Sequence, residues 1–241
     1  MSLKVLASAA AILAGGSAAY ASTITISSFT VGTYSAELAG FSSPVVEDFE
    51  AAQVGNVSDG FSTAVGTFAT IGGTGTGGTV SQANFANDGS KLAIRDGNVF
   101  GRVSTTQLLT GNAADDQFLD SNDTFGIAWT ASLGGTLFDK LLLTLTDAAD
   151  VGARMRVSTG LTTETLVTAG NGNQQMVLVE FSSAVSSASI FFENVRDNGN
   201  LTNDGFSLDD IAISAVPLPA GALLLGSALV GLMGARRRKT V

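Results

Sequence analysis

Between residues 22 and 215 the apolar side chains come in short runs broken by clusters of Gly, Asn, Asp and Ser, and no window carries the 3.6-residue spacing of a helix face. The runs stand at 23–31, 45–49, 64–71, 91–94, 98–103, 125–131, 140–146, 153–158, 163–167, 174–181, 188–193 and 206–214. They are rich in Val, Ile, Thr, Phe and Leu, the side chains that fit a pleated surface. Several alternate as a half-buried strand does: Thr23-Ile24-Thr25-Ile26 is one, and in 140–146 Leu141, Leu143 and Leu145 fall on one face. Short strands separated by turn signals predict an all-β body, a single antiparallel β-sandwich of jelly-roll type. Residues 22–215 suffice for one domain with a substantial core.

The two ends are of another kind. Lys4 followed by the apolar stretch 5–14 and by Ala19-Tyr20-Ala21 has the charged, apolar and small-residue regions of a secretory signal peptide, so residues 1–21 are expected to be removed at the site formed by Ala19 and Ala21, leaving Ser22 first. At the other end residues 216–235 carry no charge, and Arg236, Arg237, Arg238 and Lys239 follow. At about 1.5 Å rise per residue such a segment reaches roughly 30 Å, the thickness of a bilayer's hydrocarbon core. A transmembrane helix is expected over about residues 218–235, with the four cations holding its far end in the cytoplasm.

Val216, Pro217, Leu218, Pro219 and Ala220, with the apolar segment and basic tail behind them, resemble the VPLPA variant of the PEP-CTERM class of bacterial sorting signals (VPLPA-CTERM). The resemblance implies an exosortase-type membrane protease as partner, alongside signal peptidase. It also implies an inner-membrane intermediate and a final place at the cell surface or in the extracellular matrix of a Gram-negative bacterium. The alternative is an ordinary membrane anchor that stays uncleaved.

Composition then removes function classes. All 21 acidic residues lie in the body, whereas five of the 12 basic ones, Lys4 and the four C-terminal cations, lie in the ends. A body so acidic lacks the surplus of Lys and Arg that displaces counterions from nucleic acid, so nucleic acid is not expected as a partner. It suits a solvated surface in salt or among divalent cations. The chain has no Cys and no His. A thiol nucleophile, a Ser-His-Asp triad and a histidine-based metal site are thereby excluded, and disulfides do not contribute to stability. The glycine-rich segment 71–80 lacks the Lys-Ser/Thr and following helix of a phosphate loop and reads as a connection between strands.

Two short acidic motifs sit at opposite ends of the body: Glu47-Asp48-Phe49-Glu50, and Asp209-Asp210-Ile211 in the last apolar run. Together they resemble the opening and closing strands of MAM-like and carbohydrate-binding jelly rolls. That resemblance implies neighbouring first and last strands and a structural Ca2+ nearby. Glu50 and Asp210 would be ligands, with Asp48 or Asp209 in support and Asn87, Asp88 or the backbone before Lys91 completing the oxygen shell. The acidic loop of Asp115, Asp116, Asp120 and Asp123, and the loop of Asp197, Asn198, Asn200, Asn203 and Asp204, do not keep EF-hand spacing and read as solvated turns.

The reading that follows is an exported, non-enzymatic surface or matrix protein, adhesive, structural or glycan-binding, with extracellular polysaccharide as a partner. The competing class is a carbohydrate-active enzyme using paired carboxylates such as Glu180 and Glu193, which would have to lie roughly 5 to 10 Å apart in a cleft. Aromatic platforms for sugars are sparse, since Trp129 is the one tryptophan and Tyr34 the one tyrosine outside the expected signal peptide.

Overall fold

The computed structural model describes residues 22–72, 91–99, 101–122, 124–147, 153–167, 172–195, 199–202 and 204–217. The expected signal peptide, with Ala19 and Ala21, lies outside them, as do Asp88, Leu218, Pro219, Ala220 and the basic tail from Arg236 to Lys239. Among the described residues no helix is long and apolar enough to cross a membrane.

The described strands are β1 (Ile24–Phe29), β2 (Pro44–Glu47), β3 (Gly55–Val57), β4 (Phe61–Thr63), β5 (Gly66–Thr70), β6 (Leu92–Asp96), β7 (Gln117–Asp120), β8 (Gly126–Ser132), β9 (Phe138–Thr146), β10 (Ala153–Ser158), β11 (Thr163–Val167), β12 (Gln174–Val185), β13 (Ser187–Asn194) and β14 (Ser207–Ala215). They form two sheets. An eight-stranded sheet runs β1-β12-β9-β14-β7-β6-β3 with β2 also on β14, and a six-stranded sheet runs β11-β10-β13-β8-β5-β4. Every pairing is antiparallel.

The strands from β7 to β14 pair in a nested order: β7 with β14, β8 with β13, β9 with β12 and β10 with β11. That is one long antiparallel hairpin, folded so that successive pairs alternate between the two sheets, which is jelly-roll topology. The sandwich and its antiparallel sheets thus agree with the expectation from periodicity.

One core fills the space between the sheets. Leu141, Leu143 and Leu145 of β9, Val177 and Val179 of β12 and Ile211 and Ile213 of β14 meet Ile127 and Trp129 of β8, Met155 and Val157 of β10 and Ile190 and Phe192 of β13. Trp129 stacks on Phe68 at 5.7 Å and donates its indole N–H to the Val65 carbonyl. A Cβ at Gly126, where φ is +140°, would lie 1.9 Å from the Phe192 carbonyl oxygen, so only glycine lets β8 enter the sheet there.

The continuous Leu141-Leu142-Leu143 run has its reason on the other side of the sheet. Leu142, Met176, Leu178 and Ala212 point outward and are covered by Tyr34 and Leu38 of helix α1 (Tyr34–Leu38), which follows a short 3₁₀ turn (Val31–Thr33), and by Phe41 just beyond it. A second short helix, α2 (Thr106–Thr110), follows the segment that meets Asp209 and Asp210 of β14. The eight-stranded sheet is therefore buried on both faces in its middle.

Several expectations need correction. In place of the strand expected over 98–103, the described residues there close on one another, through the Val99–Arg102 bridge and Gly101 N–H donating to Asn98 Oδ1. Two helices stand where none was expected, and β3, β4 and β7 are additional strands. The strand that precedes the Glu47-Asp48-Phe49-Glu50 motif, β2, does pair with β14, placing Glu47 opposite Ile211. The first strand, β1, pairs with β12 instead.

Candidate functional site

Asp209 and Asp210 sit at a bulge in β14, where Asp210 and Ile211 stand against Leu143 between the Asp209–Thr144 and Ala212–Leu142 pairs, and Asp210 has φ 47°. The bulge turns both acids toward the segment before α2. Asp209 Oδ2 accepts from Ser104 Oγ at 2.8 Å and Thr105 N–H at 2.9 Å, and its Oδ1 accepts from the Asp210 N–H at 2.8 Å. Asp210 accepts from Thr105 Oγ1 at 2.7 Å and Thr106 Oγ1 at 2.6 Å. Both are almost wholly buried, at 1% and 5% exposure. Burial, and then the neighbouring Asp210, pushes Asp209 well above the usual carboxylate range; Asp210 is raised too, chiefly by burial, with Asp48 and Asp115 adding to it. Beside them the Tyr34 hydroxyl is buried without a hydrogen-bond partner among the described residues. Burial raises it, and the charges of Asp210, Asp209 and Asp48 raise it further.

The calcium ligand set expected from the two motifs is only partly assembled. Glu50 Oε1 accepts from the Gln117 backbone N–H at 2.8 Å, at the start of β7. Burial raises Glu50, the Gln117 bond opposes that, and Asp48, Asp115 and Asp116 raise it further, so these acids do share one region. Yet among the described residues no three acidic side chains converge as metal ligands. The oxygens of Asp209 and Asp210 already face hydroxyl and amide donors, and Asp88 lies outside the described residues. The described members alone do not gather three carboxylates, and Asn87, like Asp88, lies outside the described residues. Asp209 and Asp210 fit a fastening of residues 104–106 onto the β14 bulge.

Asp120, expected in a solvated loop, is instead a fully buried strand residue between two arginines. Arg95 Nε lies 3.4 Å from its Oδ2, and Arg102 Nε 3.2 Å from its Oδ1 at an ion-pair distance without hydrogen-bond alignment. Arg95 also donates to Asn122 Oδ1 at 2.6 Å, and Asn122 donates to the Lys91 carbonyl. This network fixes β6, β7 and the following turn to one another. Its burial marks it as structural.

On the outer face of the six-stranded sheet the picture differs. The residues that alternate with the core positions are Thr67 and Ala69 of β5, Ala128 and Thr130 of β8, Ser189, Phe191 and Glu193 of β13 and Arg154 and Arg156 of β10. Along the Ser/Thr/Ala portion Thr67 and Thr130 are exposed and Ala69, Ala128 and Ser189 partly so. Glu193 accepts from Arg154 Nε at 2.6 Å and from Arg156 Nε at 2.9 Å and Nη2 at 2.7 Å. Burial alone would raise Glu193, but the hydrogen bonds from Arg156 and Arg154 outweigh it and hold the carboxyl below its ordinary range. The Arg156 guanidinium lies over the Phe191 ring, 4.7 Å from its centre. The Arg-x-Arg alternation in run 153–158 was visible in the sequence; the partner carboxylate, from another strand, was not.

Glu180 does not meet Glu193. Glu180 follows Val179 of the core, so it points to the outer face of the eight-stranded sheet, where it pairs with Lys140 at 3.1 Å. Glu193 follows Phe192 and points from the outer face of the opposite sheet. Two sheets stacked about 10 Å apart separate these carboxylates, so they cannot flank one glycosidic bond. Trp129 and Tyr34 are both buried and offer no sugar platform.

The strand pairing and these surfaces define a class: a jelly-roll β-sandwich with one outer face capped in its middle by helix and loop and the other open and polar. No family model matches the chain, and no curated protein does. Among solved structures, a carbohydrate-binding module in complex with β-1,4-galactotriose aligns at 7% identity over 52% of this chain and 82% of its own, with a TM-score of 0.28. The family 11 carbohydrate-binding module of a cellulosomal cellulase of Clostridium thermocellum aligns at 11% identity over 68% of this chain and 97% of its own, with a TM-score of 0.29. Scores this low leave the fold assignment resting on the strand pairings themselves.

Proposed function

We propose that this chain is an exported, non-catalytic surface or matrix protein whose sandwich binds extracellular polysaccharide on the open face of the six-stranded sheet. The observation that carries the reading is that face: a floor of Thr67, Ala69, Ala128, Thr130 and Ser189 bordered by Arg154 and Arg156. Small hydroxyl-bearing side chains let a chain of sugars approach the sheet closely, and half-exposed guanidiniums supply donors to its oxygens. Delivery by the signal peptide and by an exosortase acting on Val216 to Ala220 is part of the same proposal. Its support is the sequence of the two ends, together with the position of Ser22 and Val216 at one end of the sandwich.

The test is a panel of neutral and acidic polysaccharides titrated calorimetrically into the full-length chain in mild detergent. Saturable binding to at least one glycan, with no release of reducing ends on long incubation, is the expected result. Absence of binding across the panel refutes the glycan reading, and steady release of reducing ends refutes the non-catalytic one.

A further inference from the structure

We infer that the open face selects an acidic glycan, a polyuronate, whose sugar carboxylate is bound by Arg154 and Arg156. The inference rests on the glycan reading above and narrows it to a substrate class. Neutral sugars are commonly gripped by stacking on an exposed aromatic ring, and this face does not offer one: Trp129 is in the core, and the Phe191 ring is covered by the Arg156 guanidinium. What the face does offer is unspent N–H groups. Arg154 commits only its Nε to Glu193, and Arg156 its Nε and Nη2. Both Nη groups of Arg154 and the Nη1 of Arg156 have no protein partner among the described residues.

Two guanidiniums around one carboxylate leave this patch with a surplus positive charge, although the body as a whole is strongly acidic. The other described cations are committed elsewhere: Arg95 and Arg102 are buried on Asp120, Lys140 is paired with Glu180, and Lys91 makes other contacts. Glu193 is the one acidic side chain among the described residues of this face. It also holds the two guanidiniums in place, since three hydrogen bonds fix their planes and leave their outer edges toward solvent, with side chains 35% and 34% exposed. A planar carboxylate matches a guanidinium edge with two parallel hydrogen bonds, a geometry that neutral hydroxyls do not reproduce. At physiological ionic strength the screening length is about 8 Å, so a carboxylate seated there interacts with the arginines rather than with acids on the far side of the sandwich.

The experiment uses the full-length chain in mild detergent with oligogalacturonate as probe, and its methyl ester as the neutral counterpart of identical backbone. Oligogalacturonate is expected to bind at least tenfold more tightly than the ester. Arg154→Gln with Arg156→Gln should abolish that preference, and Lys140→Gln, on the other sheet, should leave it intact. Because the double variant strands Glu193 and could unfold the sheet, Thr165→Glu gives a second reading. Thr165 is exposed on β11 and opposite Arg156 in register, so the new carboxylate would occupy the free edge and weaken the acidic probe at least tenfold without touching the core. Equal affinity for acid and ester, or an unchanged preference in Thr165→Glu, overturns the inference. If neutral glycans bind and the acidic probe does not, the glycan reading survives and this inference fails; if no glycan of either kind binds, both fall.

Discussion

The two carboxylate environments should give this protein opposed responses to acid. Burial raises both Asp209 and Asp210, with the Asp210 charge adding to the first and those of Asp48 and Asp115 to the second, so the folded state favours their protonated forms. Their contribution is fullest below the unfolded value of about 3.9 and is lost as pH rises through the raised folded values. Glu193 is lowered by its arginines, so its contribution is present above an unfolded value of about 4.3 and lost as pH falls through the lowered folded value. Asp210→Asn keeps a hydroxyl-accepting oxygen, suits a φ of 47° and removes one buried charge. Its melting temperature should therefore exceed that of the parent at pH 7, with the gap closing toward pH 4. A variant less stable at both pH values would show that the pair is held ionised by something else. Tyr34→Phe tests a group that feels the same charges: it deletes a buried hydroxyl that has no hydrogen-bond partner among the described residues and should stabilise by about 1 kcal/mol, read as a rise of a few degrees in melting temperature.

At the level of elements, what could be read from sequence depended on whether the cause was local. The alternation at Leu141, Leu143 and Leu145 is local, and β9 lies where it was expected. The strands after β9 also lie near the expected runs, although β12 extends past residue 181 and a bulge at Asp209 and Asp210 breaks the period of β14. Asp120 could not be read this way. Its strand looked like an acidic turn, since the compensating Arg95 and Arg102 arrive from residues distant in sequence. The same holds for α1, a helix of five residues too short to show a stripe, which exists because Tyr34 and Leu38 cover an outward-facing Leu142. In the candidate site the two acids of β14 were legible as unusual, but their hydroxyl partners Ser104, Thr105 and Thr106, which arrive from residues about a hundred positions earlier, were not. Asp120→Asn tests the network directly. Leaving two buried guanidiniums short of a charge should cost about 3 kcal/mol, measured by denaturant unfolding, whereas Asp115→Asn, half-buried and with its carboxylate hydrogen-bonded to exposed Thr110 and Asn112, should cost less. Equal costs would mean that Asp120 is no more than a strand residue.

Across the whole molecule, Thr25, Glu180, Lys140 and Ser214 stand in one row through β1, β12, β9 and β14. The chain therefore enters at Ser22 and leaves at Val216 from the same end of the sandwich, about three strand spacings or roughly 14 Å apart. Val216 is still part of the body, since its N–H donates to the Leu137 carbonyl at 2.8 Å, and Pro217 is the first exposed residue beyond it. On the proposal of exosortase processing, a protease reading residues 216–220 would meet a motif tied to the folded domain at Val216. The prolines would matter in that setting because a proline lacks the N–H of a helix hydrogen bond, fixes φ and biases the residue before it toward extended backbone. With Pro217 and Pro219 both changed to Ala, a membrane helix could continue upstream toward Val216 and bury the bond to be cut. The double variant should fold as the parent does but accumulate uncleaved in the membrane fraction, at the intact mass of the unprocessed tail. Release of the double variant at the parental rate would show that the motif is not what the protease recognises, and full-length parent recovered only from membranes would point to an ordinary anchor.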